Sequence, residues 1–162
     1  MSDDAAKNPA PEAKADAQPP FPVPPAPEGY HFDYSPARLT TDSTSLAQFS
    51  SELRGALHAA QVPAIFAQSV LDALDASAAL YPATMTDVER VAVFQEEGWK
   101  LRRAFGEDGA KEIGELASAA WQRLPEAWRT KVDAQFGFHT AQGQAALAAI
   151  EREYRHRTRV KS

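Results

Sequence analysis

The chain reads as an all-α protein, and three observations lead there. From about Asp42 onward, apolar residues recur three or four apart, the period of one helix face. Past residue 36, proline occurs only at Pro63, Pro82 and Pro125, each between two such runs. No stretch shows the sustained apolar/polar alternation with β-branched residues that marks a strand. The expected architecture is a set of short helices, forming a loose bundle or an elongated array, after a disordered Pro-rich N-terminal segment.

Residues 1–40 form that segment. Nine of the twelve prolines lie in the first 36 residues, culminating in Pro19-Pro20-Phe21-Pro22-Val23-Pro24-Pro25-Ala26-Pro27. Successive prolines remove backbone donors and fix φ, which favours an extended polyproline II chain. A disordered leader or spacer is the ordinary expectation for such composition. Phe21, Val23, Tyr30, Phe32 and Tyr34 are nonetheless apolar anchors, able to lie along a partner and order on binding. About 120 residues remain to build a core.

The first helix places Leu46, Phe49, Leu53, Leu57 and Ala60 on one stripe, with Asp42 or Ser43 as its cap. Val62-Pro63 ends it. A second helix runs to about Tyr81 and should bury Ile65, Phe66, Val70, Leu71 and Leu74, making residues 41–82 a helical hairpin. Residues 83–162 form a second helical region, ending in a basic segment. Thr86-Asp-Val-Glu89 has the form of a capping box, in which hydroxyl and carboxylate satisfy reciprocal amides. The helix it starts carries Val88 or Val91, Phe94, Gly98, Leu101 and Phe105 as its buried stripe, until Gly106 supplies a left-handed stop. Trp99 lies off this line, as a candidate partner contact.

A fourth helix opens near Asp108 and buries Ile113, Leu116 or Ala117, Ala120 and Leu124. Pro125 separates it from a fifth, with Trp128, Val132 and Phe136, closed by Gly137. Thr140 can cap a sixth, which carries Leu147, Ile150 and Tyr154 into the basic end. These helices are rich in alanine, which favours helix but buries little apolar area. Such packing rearranges at low cost and suits an assembling protein better than a rigid active site.

Charge is segregated along the chain. The net charge is −5, yet the last twelve residues carry Arg152, Arg155, Arg157, Arg159 and Lys161 against only Glu151 and Glu153. A basic end on an acidic body marks a contact surface. Three roles are open to it: phosphate contacts with nucleic acid, docking on an acidic protein patch, and plain solvation. The acidic body repels a polyanion and no aromatic residues interleave for base stacking, so a protein partner is favoured over nucleic acid.

No catalytic constellation is visible. His31, His58, His139 and His156 lack the i, i+4 spacing of a helical metal pair, and no metal or cofactor is expected. Glu96-Glu97, Glu107-Asp108 and Glu112/Glu115 read as solvated helix charges. Gly106-Glu-Asp-Gly109 lacks the lysine and hydroxyl of a phosphate loop. With no cysteine, disulfides, thiolate metal sites and cysteine nucleophiles are excluded. The N-terminus lacks a signal-like apolar stretch and no run spans a membrane. Trp99, Trp121 and Trp128 are either core fillers or interface anchors, the former the commoner role.

The order of these segments resembles the small helical scaffolding (capsid assembly) proteins of tailed bacteriophages. A Pro-rich leader passes into Pro27-Glu-Gly-Tyr30-His-Phe-Asp, similar to the lead-in before their helices. Phe49-Ser-Ser-Glu-Leu-Arg-Gly-Ala-Leu57 through Ala67-Gln-Ser-Val-Leu-Asp-Ala-Leu74 resembles their early hairpin. Leu101-Arg-Arg-Ala-Phe-Gly106-Glu-Asp-Gly, an Ala-rich helix, Gly137 and Ala145-Ala-Leu-Ala-Ala-Ile150 are similar to their leucine/aromatic/glycine stretch and final helix. This sequence departs from that pattern at Phe105, Gly109 and Gly143, where the family usually has tryptophan, an aromatic and proline.

The resemblance implies a non-enzymatic assembly factor that binds major capsid (coat) protein, self-associates, lines the precursor shell and works in the cytoplasm of an infected host. It assigns coat contact to Arg152, Arg155, Arg157, Arg159 and Lys161, with Phe21, Tyr30, Phe32 and Trp99 as secondary partner contacts. A structural protein retained in the particle, or a helical regulator of host proteins, would share the same sequence features.

Overall fold

The computed structural model describes residues 18–161. Among these residues, six α-helices follow a 3-10 turn at Pro27–Gly29: α1 (Pro36–Leu39), α2 (Ser43–Ala59), α3 (Ala67–Leu80), α4 (Asp87–Arg123), α5 (Glu126–Asp133) and α6 (Ala141–Lys161). A second 3-10 turn, Ala64–Phe66, leads into α3. No strand occurs among the described residues, and the all-α expectation holds.

Local chemistry sets the boundaries. Asp42 caps α2, its carboxylate accepting from the amides of Thr44 at 2.9 Å and Ser45 at 3.1 Å. Thr86 and Glu89 form the reciprocal capping box at the start of α4. Inside α4, Gly106 adopts φ 76° and ψ 173°, a conformation essentially reserved for glycine. This break divides α4 into an arm, residues 87–105, and a second half, residues 107–123. The turn after α5 works differently from the glycine stop expected there. Phe136, not Gly137, takes the left-handed conformation, at φ 56°. Gly137 is needed for space, since a Cβ would lie 2.2 Å from Val132 Cγ1 and 3.1 Å from Leu74 Cδ2.

One core joins the hairpin to the later helices. Leu53, Leu57, Val70 and Leu71 pack with Ala117, Ala120, Leu124, Trp128, Phe138, Leu147 and Ile150. The two helical regions marked out by the sequence thus share their burial. Helices α4 and α6 make the principal pair, and α3 is the next element against α6. Beyond this core, Ile113, Leu116 and Ala148 form a smaller cluster edged by Leu101. Trp121 and Trp128 both pack on Phe138, with ring centroids 5.6 and 6.3 Å away, so each fills core space. The loop before α6 is pinned to α3, where Tyr81 stacks on Phe136 at 5.1 Å and donates to the carbonyl of His139 at 2.7 Å.

The leader expected over residues 1–40 divides in two. Residues 1–17 lie outside the described residues, while residues 18–40 lie against the helices. Tyr30 is wholly buried and donates to the Val62 carbonyl at 2.6 Å, and burial pushes its hydroxyl up to about 12, partly offset by the charge of Arg157. Arg54 donates to the Tyr30 carbonyl at 2.9 Å, and Tyr34 donates to Ser50 Oγ at 2.6 Å. The Asp33 backbone exchanges two hydrogen bonds with the Gln68 side chain, at 2.9 and 3.0 Å. Proline-rich chain suits such docking because it brings few amides to satisfy and little conformational freedom to lose.

Two burial expectations fail. Ile65 is exposed, because the 3-10 turn before α3 directs Phe66 inward instead. Along the arm, Val88, Val91, Phe94 and Phe105 are exposed rather than buried. The break at Gly106 separates the arm from the half of α4 that packs in the core.

Candidate partner-binding surface on the C-terminal helix

Helix α6 is fixed at its start. The Thr140 side chain, itself buried, accepts from the Gly143 amide at 2.8 Å, and Glu97 on the arm accepts from the Ala141 amide at 3.0 Å. A carboxylate there meets the positive end of the helix dipole and one of its unpaired donors. A Cβ at Gly143 would approach Phe138 Cα and Thr140 Oγ1 to 3.0 Å, which explains glycine at this position.

Three turns later the helix is clamped through charge. Glu151 is 1% exposed and accepts from Arg123 twice, at 2.9 and 3.1 Å, and from Arg155 at 2.9 Å. Burial by itself would raise the Glu151 carboxyl, but the hydrogen bonds and charges of Arg123 and Arg155 outweigh it and hold the group below the ordinary glutamate value. Arg123 is pushed up in turn by its bonds to Glu151. Its guanidinium also stacks on Tyr154, 3.4 Å from the ring centroid. Arg123 belongs to α4 and lies 28 residues away, so no local pattern could have joined it to the tail.

The leader straps the same stretch. The Phe21 amide donates to Glu153 at 2.7 Å, His156 Nε2 lies 2.8 Å from the Gln18 carbonyl, and the Pro22 carbonyl accepts from the Ala64 amide at 3.2 Å. Phe21 meets Phe66 edge to face at 5.9 Å. Residues 18–22 therefore bridge α6 and the turn before α3.

The five cations of the tail consequently have different fates. Arg152, Arg155 and Arg159 are exposed and recur at spacings of three and four, on one side of α6. Arg152 has Glu112 3.9 Å away, and Arg155 is shared with Glu151. Lys161 is exposed at the end of the helix. Arg157 instead turns inward, 5.4 Å from the Tyr154 ring, and its Nη1 is buried without a hydrogen-bond partner among the described residues.

The secondary contacts also separate. Tyr30 is core, Phe32 is half-buried beside Tyr34, Phe21 is partly exposed on the strap, and Trp99 is 52% exposed with Arg102 4.5 Å above its ring. Tyr30 is thus a folding anchor, because its hydroxyl finds Val62 within the chain. Among the described residues no group of three or more histidines and carboxylates is gathered for a metal, and no helix is long and apolar enough to cross a membrane.

No protein-family model matches this chain, and no curated protein or solved structure matches it.

Proposed function

We propose that this chain is a non-catalytic helical scaffolding protein that docks on an acidic patch of major capsid protein through the outer face of α6. The reading places it in the cytoplasm of an infected host and inside the precursor shell. One observation carries it: Arg152, Arg155 and Arg159 stand exposed on one side of a helix whose position is fixed by the buried Glu151 clamp. A row of cations on a helix fixed in place presents a preorganised charge pattern, and the net charge of −5 disfavours a polyanion as its partner. Each exposed pair is worth about 1 kcal/mol or less and is screened by salt. Contacts of that strength reverse easily one by one and hold when many copies act together.

Deleting the whole tail would remove Glu151 and unclamp the fold, so the test uses exposed positions. The variant Arg152→Glu/Arg159→Glu is co-expressed with the cognate coat protein. It should lose coat binding and correctly sized shells while keeping its helical circular dichroism. Normal shells from that variant would overturn the reading. Stoichiometric retention in purified virions would instead identify a structural component of the particle.

A further inference from the structure

Residues 151–161 of α6 lie beyond the apolar core: among the described residues, neither core cluster takes a side chain from this helix past Ile150. That is about 16 Å of helix. A helix end leaves its last carbonyls without partners, and one with no buried apolar face depends on side-chain ties to keep it from fraying. The Glu151 clamp ties the first turn of this stretch. The strap ties the next, through Glu153 and His156.

The composition of the strap fits that task. Of residues 19–22 only Phe21 has a backbone N–H, since the other three are proline. That one donor goes to Glu153, a carboxylate only 9% exposed, at 2.7 Å. Burying a carboxylate is costly unless a donor meets it, so Glu153 and the Phe21 amide each answer the other's need. Prolines on both sides of Phe21 fix the extended backbone in advance, and docking therefore orders little chain. By helical spacing Glu153, His156 and Arg157 share one side of α6, while Arg152, Arg155 and Arg159 lie exposed on another.

We propose that residues 18–22 are a positioning strap: their docking keeps residues 153–161 helical, and the N-terminal segment thereby controls how the basic end is presented to whatever binds it. Phe21 then acts through α6 rather than as a partner contact. The consequence for coat docking rests on the function proposed above, whereas the ordering of the helix does not.

Amide hydrogen exchange, followed by NMR on the full-length chain, reads the helix without any partner. Phe21→Pro removes the donor to Glu153 and the ring on Phe66 while keeping the extended backbone. Exchange at residues 155–161 should speed up by about tenfold or more, the weight of one hydrogen bond to a charged group. Leu53, Leu71 and Leu147, in the core, should exchange as before. Glu153→Ala is the sharper variant. Alanine is the better helix former, so the helix considered alone should exchange more slowly, and the strap requires it to exchange faster. Unchanged or slower exchange at residues 155–161 in either variant would overturn the proposal. Equal acceleration at Leu53, Leu71 and Leu147 would do the same, because the strap would then belong to global folding. Failure of the coat reading shows separately, as normal coat binding by Arg152→Glu/Arg159→Glu while the exchange differences persist.

Discussion

The clasped end of α6 and the arm of α4 are both regular helix, but the first is held through buried charge on several sides and the second along one side, by Glu97 and Leu101. Glu151 joins the second half of α4 through Arg123 to α6 through Arg155, and, two residues on, Glu153 takes the Phe21 amide of the strap, whose Pro22 carbonyl in turn takes the Ala64 amide of the turn before α3. Buried polar groups are all-or-nothing, since each must find its partner or cost the desolvation of a charge. The arm makes few such commitments beyond Glu97 and leaves its aromatic residues outside. Specific geometry is thus concentrated at one end of the molecule, and unspent apolar surface at the other.

Breaking the clasp should therefore produce the largest effect. Arg123→Met would leave buried Glu151 with Arg155 alone, and urea unfolding should show a loss of about 3 kcal/mol. A loss no greater than a typical surface substitution would mean that the two ends are held alike. Replacing both partners, as Arg123→Met/Glu151→Leu, should recover part of that loss, because the uncompensated charge is gone.

The next effect is a pH dependence with a definite sign. Glu151 titrates below the ordinary glutamate value in the folded protein, so the unfolded chain takes up its proton first as pH falls. Its stabilising contribution is complete above the ordinary glutamate value and disappears as pH drops through the lowered one. Urea midpoints of the unaltered chain and Glu151→Gln should differ at neutral pH and converge in acid. A gap constant down to pH 2 would remove Glu151 from the clasp.

These two regions also explain what could and could not be read from the residues alone. Helices, caps and breaks were legible because their signals are local: Asp42, the Thr86/Glu89 box, Gly106 and Thr140 each act within one turn. Side-chain destination was not. Periodicity shows that Val91, Phe94 and Phe105 share a stripe with Leu101 without saying what the stripe meets, and in the fold Leu101 edges a core cluster while the other three stay exposed. The tail misled in the opposite direction. Five cations near a terminus look uniformly solvated, yet Arg157 is folded inward and Arg155 is engaged by a carboxylate that itself needs Arg123 from α4. The leader hid its anchoring for the same reason, since the acceptor for Tyr30 is the carbonyl of Val62, 32 residues on.

The smallest effects should come from the arm. Val88, at 81% exposed, and Phe105 should each tolerate glutamine with a change of about 0.5 kcal/mol or less in dilute protein, whereas emptying a core phenylalanine site costs about 3–5 kcal/mol. If Phe105→Gln instead melted far lower than the unaltered chain, the arm would be part of the folding core, and the division of the molecule into a clasped end and an open one would fail.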